Sequence, residues 1–246
     1  VIVKSDAIVL KTVDYSESSI IATIFTKERG KIAVIAKGAR KPKSKFAAFL
    51  VPGQLIEVVC YFKESRSVQT LSDISYSHKL HSLRVDMEKM AITMMAMELT
   101  SQLLHENEVN SELFLFLKKF LIWTDKQKEV SKSLFPYLQL RLAEHVGIGI
   151  QAETEEKIET DGGYINISSG TLSAVSEDER AARLTASQFA FVKKTLHSTN
   201  ASVLQIVMDG VELKRLIEIL DKYFTYHIEG IKPRKSDKIF DKLLTQ

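Results

Sequence analysis

The feature that most constrains this chain is a change in apolar spacing near Leu83. Before it, Val, Ile, Thr, Tyr and Phe come in short runs with no sustained helical period, the pattern of several strands. After it, Met87, Met90, Ala91, Met94 and Met95, then Leu99, Leu103 and Leu104, recur at the spacing of one helix face. A strand-rich module followed by a run of helices predicts an α+β protein of more than one domain. With 246 residues, 45% of them apolar, the chain has material for one large core or two modest ones.

Five strands are predicted in the first module: Ile2–Leu10, Ser19–Thr26, Lys31–Ala36, Leu55–Phe62 and Ser67–Asp73. Lys27-Glu28-Arg29-Gly30 reads as a tight turn between the second and third. So many short strands in so few residues predict a small barrel, joined by a long connection from Lys37 to Pro52. Helices are expected over Asn110–Thr124, Ser131–Val146, Thr185–His197 and Val203–Tyr226, with a short basic helix beginning near Ser236. Between Gly147 and Arg183 the chain turns polar, with an acidic run Glu153–Glu159, an Asp161-Gly162-Gly163 turn and a short hairpin expected at Tyr164–Val175. The domains are therefore expected at 1–80 and 81–246, with 147–183 as a small insertion.

Several function classes lose support at this level. The single cysteine, Cys60, leaves no disulfide framework and no Cys-x-x-Cys pair, so the expected setting is reducing and cytoplasmic. Cys60 sits in an apolar strand-like run, as a small buried hydrophobe would. No apolar run of about 18 residues and no secretion signal is visible, so no membrane partner is expected. Of six histidines only His78 and His81 are close in sequence, one such pair without a nearby thiolate is poor evidence for a site, and no metal or other cofactor is expected. Gly147-Ile148-Gly149-Ile150-Gln151-Ala152 formally matches a dinucleotide fingerprint, but it follows a helix instead of a strand. No nucleophile elbow or zinc-protease motif is present, and the chain reads as a non-enzyme. The Met87–Met97 stripe fits either a helix core or an adaptable groove.

Charge is distributed unevenly. Net charge is +3, yet residues 1–80 hold 13 Lys and Arg against 7 Asp and Glu, while the remainder is mildly acidic. Lys31, Lys37, Arg40, Lys41, Lys43 and Lys45 fall within fifteen residues without an acid. Two readings fit this run: a solvated loop, or a strip that neutralises phosphates beside a barrel whose rings hold bases. Tyr61 and Arg66 are candidates for the same surface, while Tyr15, Phe25 and Phe62 are divided between core and stacking roles. Lys232, Arg234 and Lys235 form a second cationic cluster, equally readable as phosphate contacts or as a solvated helix boundary.

The order of these features resembles a known family. Ala7 to Glu17, the Thr26–Gly30 turn, Ala36-Lys37-Gly38-Ala39-Arg40-Lys41, Phe46 to Pro52, and the ending Tyr223–His227, Gly230 and Lys232–Ser236 resemble the bacterial recombination mediator RecO family, across most of the chain. That resemblance implies an oligonucleotide-binding (OB) barrel followed by a helical domain. It also implies a protein that binds single- and double-stranded DNA, anneals complementary strands and helps load RecA on strands coated by single-strand-binding protein. The implied partners are RecR and the acidic, apolar-tipped tail of single-strand-binding protein. For that tail the candidates are Lys118, Lys119 and Arg141 beside Phe116, Phe120, Tyr137 and Leu138, because desolvated carboxylates need cations at the rim of an apolar pocket. Two departures stand out. Many members carry a four-cysteine zinc ribbon in the region of 147–183, whereas this chain has no cysteine there, and Ser236-Asp237 stands where the family often has Ser-Arg.

Overall fold

A computed structural model describes residues 1–152 and 161–244, and the chain divides into two compact units, Val1–Lys128 and Glu129–Gln246. The acidic run Glu153–Glu159 lies outside the described residues.

The first unit opens with five strands: β1 (Ile2–Tyr15), β2 (Ser19–Thr26), β3 (Gly30–Ala36), β4 (Leu55–Tyr61) and β5 (Val68–His78). They close into a barrel in the order β1-β2-β3-β5-β4. Only β3 and β5 pair in parallel. Closure depends on the length of β1, whose first half pairs with β4 and whose second half pairs with β2 across a bulge between Val9 and Lys11. A bulge bends and twists a strand, which lets one segment serve two neighbours around a tight circumference. This is why β1 runs on to Tyr15 instead of stopping at Leu10. The polar residues beyond Leu10 weaken the sequence signal, but their backbone groups are satisfied by β2. For the same reason β5 extends past Asp73 to His78, along β4.

Alternation places Ala22, Ile24, Val34, Ile56, Val58, Cys60 and Leu71 inside the barrel, where Ala39 and Leu50 of the long connection complete the core. The outward residues of the barrel meet two environments. Ile8, Leu10, Phe25 and Leu55 are fully buried although they face away from the barrel interior. α1 (Met87–Leu103) packs on β1, and Phe114 of α2 (Ser111–Lys126) meets Phe25 edge to face at 5.6 Å. Burying each such side chain stabilises by about 1.5–3 kcal/mol. The methionine stripe is divided, with Met95 and Met97 buried in α1 while Met87 and Met90 are exposed. Gly30 makes one close approach possible. It has φ +66°, and a Cβ there would lie 2.0 Å from the Glu108 carbonyl oxygen, so the turn before β3 admits no side chain beneath the α1–α2 loop.

The second unit contains α3 (Leu134–His145), a small sheet, α4 (Ala186–His197), α5 (Gly210–His227) and α6 (Asp237–Leu244). The sheet joins β6 (Gln151–Ala152), β7 (Gly163–Asn166), β8 (Thr171–Ser173) and β9 (Ala182–Leu184) in the order β6-β8-β7-β9. β7 and β8 form the expected hairpin. Among the described residues no group of three or more His, Cys, Asp and Glu could hold a metal ion, and no helix is long and apolar enough to cross a membrane. Side-chain bonds hold the sheet: the buried Asn166 amide donates to Ser173 Oγ at 2.9 Å, and Asn166 Oδ1 accepts from the Glu177 backbone at 2.9 Å.

The helix expected over Val203–Tyr226 is two elements. A 3₁₀ turn at Ala201–Gln205 is followed by a break, and α5 starts afresh with Asp209 as its cap. The Asp209 carboxylate accepts from the Glu212 backbone while Glu212 reaches back to the Asp209 backbone, a reciprocal cap that satisfies two free donors at a helix start.

Candidate nucleic-acid interface

The connection from Lys37 to Gln54 is a series of turns tied to the barrel at both ends. Backbone bonds run from Ala39 to Ala36, Lys41 to Gly38 and Ser44 to Lys41. Ala39 and Leu50 are buried, and Phe49 lies 4.4 Å from the Tyr76 ring. The backbone N–H of Arg40 also donates to Ser18 of the β1–β2 turn at 3.0 Å. The loop is thereby positioned by apolar anchors while its charged residues face water.

Those charges are not equivalent. Arg40 donates to the Ser16 carbonyl at 2.7 Å and pairs with Asp14 at 3.3 Å. Lys45 pairs with Asp73 at 2.6 Å, which holds the Asp73 carboxyl below its ordinary pKa. Among the described residues Lys37, Lys41 and Lys43 have no carboxylate partner, and all three are exposed. Lys31, grouped with them by sequence, points elsewhere. Its ammonium donates to the Ser101 carbonyl at 2.9 Å, and burial lowers its pKa, partly offset by Glu106.

Beside this loop the barrel leaves a face open. Register places Val13, Ile21, Ile35, Thr70, Tyr61 and Ile2 in one row across neighbouring strands. Their sequence neighbours Ala22, Val34, Cys60 and Leu71 point inward, so the row points outward. Val13, Tyr61 and Ile2 are 49%, 51% and 63% exposed, and Tyr15 nearby is 53% exposed. The sequence singled out Tyr61 but not Ile21, Ile35 or Val13. Both faces of β2 read as apolar, and which one is covered depends on where the later helices pack.

At one end of the barrel, Arg66, Phe62, Arg29 and Gln69 line a cleft of about 290 Å³, with the Arg29 guanidinium 4.2 Å above the Phe62 ring. Glu28 and Glu64 also line it, so its cations are partly balanced. Cys60 is in the core, and burial pushes its thiol pKa up to about 11, which leaves it inert.

The C-terminal cluster is placed differently from its sequence reading. Arg234 is buried and grips Asp221 with two bonds of 2.6 and 2.7 Å, and its Nε holds Asp237 at 2.7 Å. Its guanidinium also lies 4.8 Å from the Phe135 ring centre. It is a fastener between α5 and the start of α6, not an open cation. Asp237, the departure from the family pattern, is one of its two partners. Lys232 and Lys235 are exposed.

The residues suggested for a peptide tail fall in two groups. Phe116, Lys118, Lys119 and Phe120 lie on α2 in the first unit, while Tyr137, Leu138 and Arg141 lie on α3 in the second. Lys118 pairs with Asp6 at 2.9 Å and Phe120 is buried, whereas Lys119 is exposed. Arg141 is buried and donates to the Thr195 and Ser198 carbonyls, each at 2.6 Å, and to Glu144 at 2.8 Å.

The architecture is a closed five-stranded barrel of OB type, carrying a cationic loop beside an outward apolar row and followed by helices. Comparison with known proteins gives the family. Residues 1–79 match the model described as Recombination protein O N terminal and residues 84–237 match Recombination protein O C terminal. The chain belongs to the RecO family, which serves DNA repair and recombination. It is similar to the DNA repair protein RecO of Salinibacter ruber, 29% identical over 97% of this chain and 93% of that protein. It is also similar to the proteins of that name from Shouchella clausii, 29% identical over 98% and 95%, and Chlorobium limicola, 36% identical over 59% and 56%.

Proposed function

We propose that this protein is a non-enzymatic recombination mediator that binds single- and double-stranded DNA through its barrel and anneals complementary strands. It then helps load RecA on DNA coated by single-strand-binding protein, with RecR and the tail of that coating protein as partners. The observation that carries the reading is the set of three unpaired lysines, Lys37, Lys41 and Lys43, on an anchored loop beside the open apolar row of the barrel. Lysines without acids neutralise phosphates, and the row with Tyr61 and Tyr15 offers a dry ledge for unstacked bases. None of these groups reads base edges, so complementarity between strands selects the partner and the protein lowers their mutual repulsion. Arg40 and Lys45 contribute once phosphate displaces Asp14 and Asp73, and Arg66 extends the surface toward the other end of the barrel.

The test is a triple variant, Lys37→Ala with Lys41→Ala and Lys43→Ala. The expected result is weaker binding of an oligonucleotide at low salt and slower annealing of complementary strands, with an unchanged thermal midpoint. Unchanged annealing by a folded variant overturns the reading. A second reading, a protein-interaction scaffold with an incidental basic loop, is favoured if that variant still captures partner peptides and the wild-type protein retains no oligonucleotide.

A further inference from the structure

Sequence spacing directs attention to the barrel, but the second unit holds a concavity larger than the cleft beside Phe62. An open groove of about 1230 Å³ runs between the exposed face of α5 and the segment Arg180–Arg183, which leads into the edge strand β9. Its helical wall follows from the pattern of α5. Leu213, Leu216, Ile217 and Leu220 are buried, so Val211, Arg215, Glu218 and Lys222, three or four residues apart, share the solvent face. Acids outnumber bases in residues 129–246, yet the groove carries the opposite excess, with Arg180, Arg183, Lys214, Arg215 and Lys222 lining it against Asp209, Glu218 and Asp241.

The excess grows once the acids already engaged are set aside. Asp209 caps α5, accepting from the Glu212 backbone at 2.8 Å, and Asp241 pairs with Lys214 at 3.2 Å. Among the described residues Arg180, Arg183, Arg215 and Lys222 have no carboxylate partner, which leaves four cations facing Glu218. Two of them are held by rings. The Arg180 guanidinium lies 5.4 Å from the centre of Tyr226, which is 47% exposed, and Arg183 lies 5.8 Å from the centre of Tyr164 while donating to its hydroxyl at 3.2 Å. A guanidinium seated on a ring keeps most of its five N–H donors free in a fixed fork, the geometry that suits a phosphate.

We infer that this groove is a second site for single-stranded nucleic acid. The inference rests on the reading of the barrel as the first, and it supplies what annealing requires, a place for the other strand. Four separated cations along an open groove, two of them supported by rings, suit a chain of spaced phosphates with accompanying bases. An acidic peptide instead calls for a closed apolar pocket with cations at its rim.

The experiment uses the full chain, a short fluorescent oligothymidylate, and the variant Arg180→Ala with Arg183→Ala, Arg215→Ala and Lys222→Ala. All four positions line the groove from the solvent side, and the all-lysine counterpart at the three arginines serves as the folding and charge control. Equilibrium titration at low salt is expected to show two strands per wild-type protein and one per groove variant, with the control close to wild type. In the wild type the plot of log affinity against log salt for the second, groove-bound strand is expected to have a slope of about 2 to 3 in magnitude, from about 0.7 per phosphate contact at four cations. Annealing is expected to fall while the first strand still binds. Two strands bound to the variant, or unchanged annealing, overturns the inference, as does a groove saturated by an acidic peptide with oligonucleotide binding untouched. Failure of the barrel reading looks different. There the wild type binds one strand, which the loop variant keeps and the groove variant loses, whereas a failure of the groove alone leaves one wild-type strand that the loop variant abolishes. No binding by the wild-type protein overturns both.

Discussion

Two basic stretches of this chain, Lys37–Lys45 and Lys232–Lys235, look alike as sequence and differ as structure. In the first, three lysines face water without a carboxylate among the described residues. In the second, Arg234 is buried and held by Asp221 and Asp237. The difference teaches that a run of positive charge has no meaning until its acids are located. Asp221 lies thirteen positions before Arg234 and reaches it only because α5 turns back on the chain that follows. A buried arginine with two carboxylates serves the fold, whereas the anchored loop leaves three lysines open for the anionic ligand proposed for it.

The largest effect expected from breaking this comparison is at Arg234. Arg234→Ala leaves Asp221 and Asp237 facing one another beside Phe135; because these carboxylates are 33% and 32% exposed, the loss stays below the roughly 3–5 kcal/mol of a fully buried pair. Urea unfolding should show the loss, while the variant at a temperature where it is folded should bind DNA as the wild type does. A stable variant with weakened DNA binding would erase the distinction between the two stretches.

A smaller effect is expected from turning a paired loop cation into an unpaired one. Asp73→Ala frees Lys45, and if the loop meets phosphate, DNA affinity should rise and the salt plot should steepen by up to about 0.7 in slope. Lys45→Ala should move the Asp73 carboxyl up toward its ordinary pKa, the Ile74 backbone hydrogen bond still holding it down in part, a change NMR titration can follow, with no measurable change in stability because both groups are exposed.

The smallest effect sharpens the structural side. Hydrogen bonds from Ser187 and Thr185 hold the Glu212 carboxyl below its ordinary pKa. A depressed folded pKa contributes stability that is fully present above the unfolded value of about 4.3 and is lost as pH falls through the folded value. Glu212→Gln should therefore lower stability near neutral pH and flatten its decline in acid. Chemical denaturation across that range checks the sign.

Much of the barrel was legible because alternation, β-branched residues and the Gly30 turn are local signals. The end of β1 was not, since Lys11–Tyr15 owe their strand to pairing with β2 and not to their own pattern. The break before α5 was hidden by apolar residues on both sides of Asp209, although the Asp209 and Glu212 cap was present in the sequence. Of the interface, the loop cations could be read directly. The open row of Ile21 and Ile35 could not, because only the packing of α1 and α2 decides which outer face of the barrel remains uncovered. The groove of the second unit was further still from view, for its cations come from 180–183 and 214–222 and no local run announces them.

The most direct measurement is the salt dependence of single-strand affinity for three proteins side by side: wild type, the Lys37, Lys41 and Lys43 triple alanine variant, and Arg234→Lys, which keeps charge at the buried site. The expected result is a slope of log affinity against log salt that is shallower by about 2 in the loop variant and unaltered in Arg234→Lys. Parallel lines for the wild type and the loop variant would contradict the account.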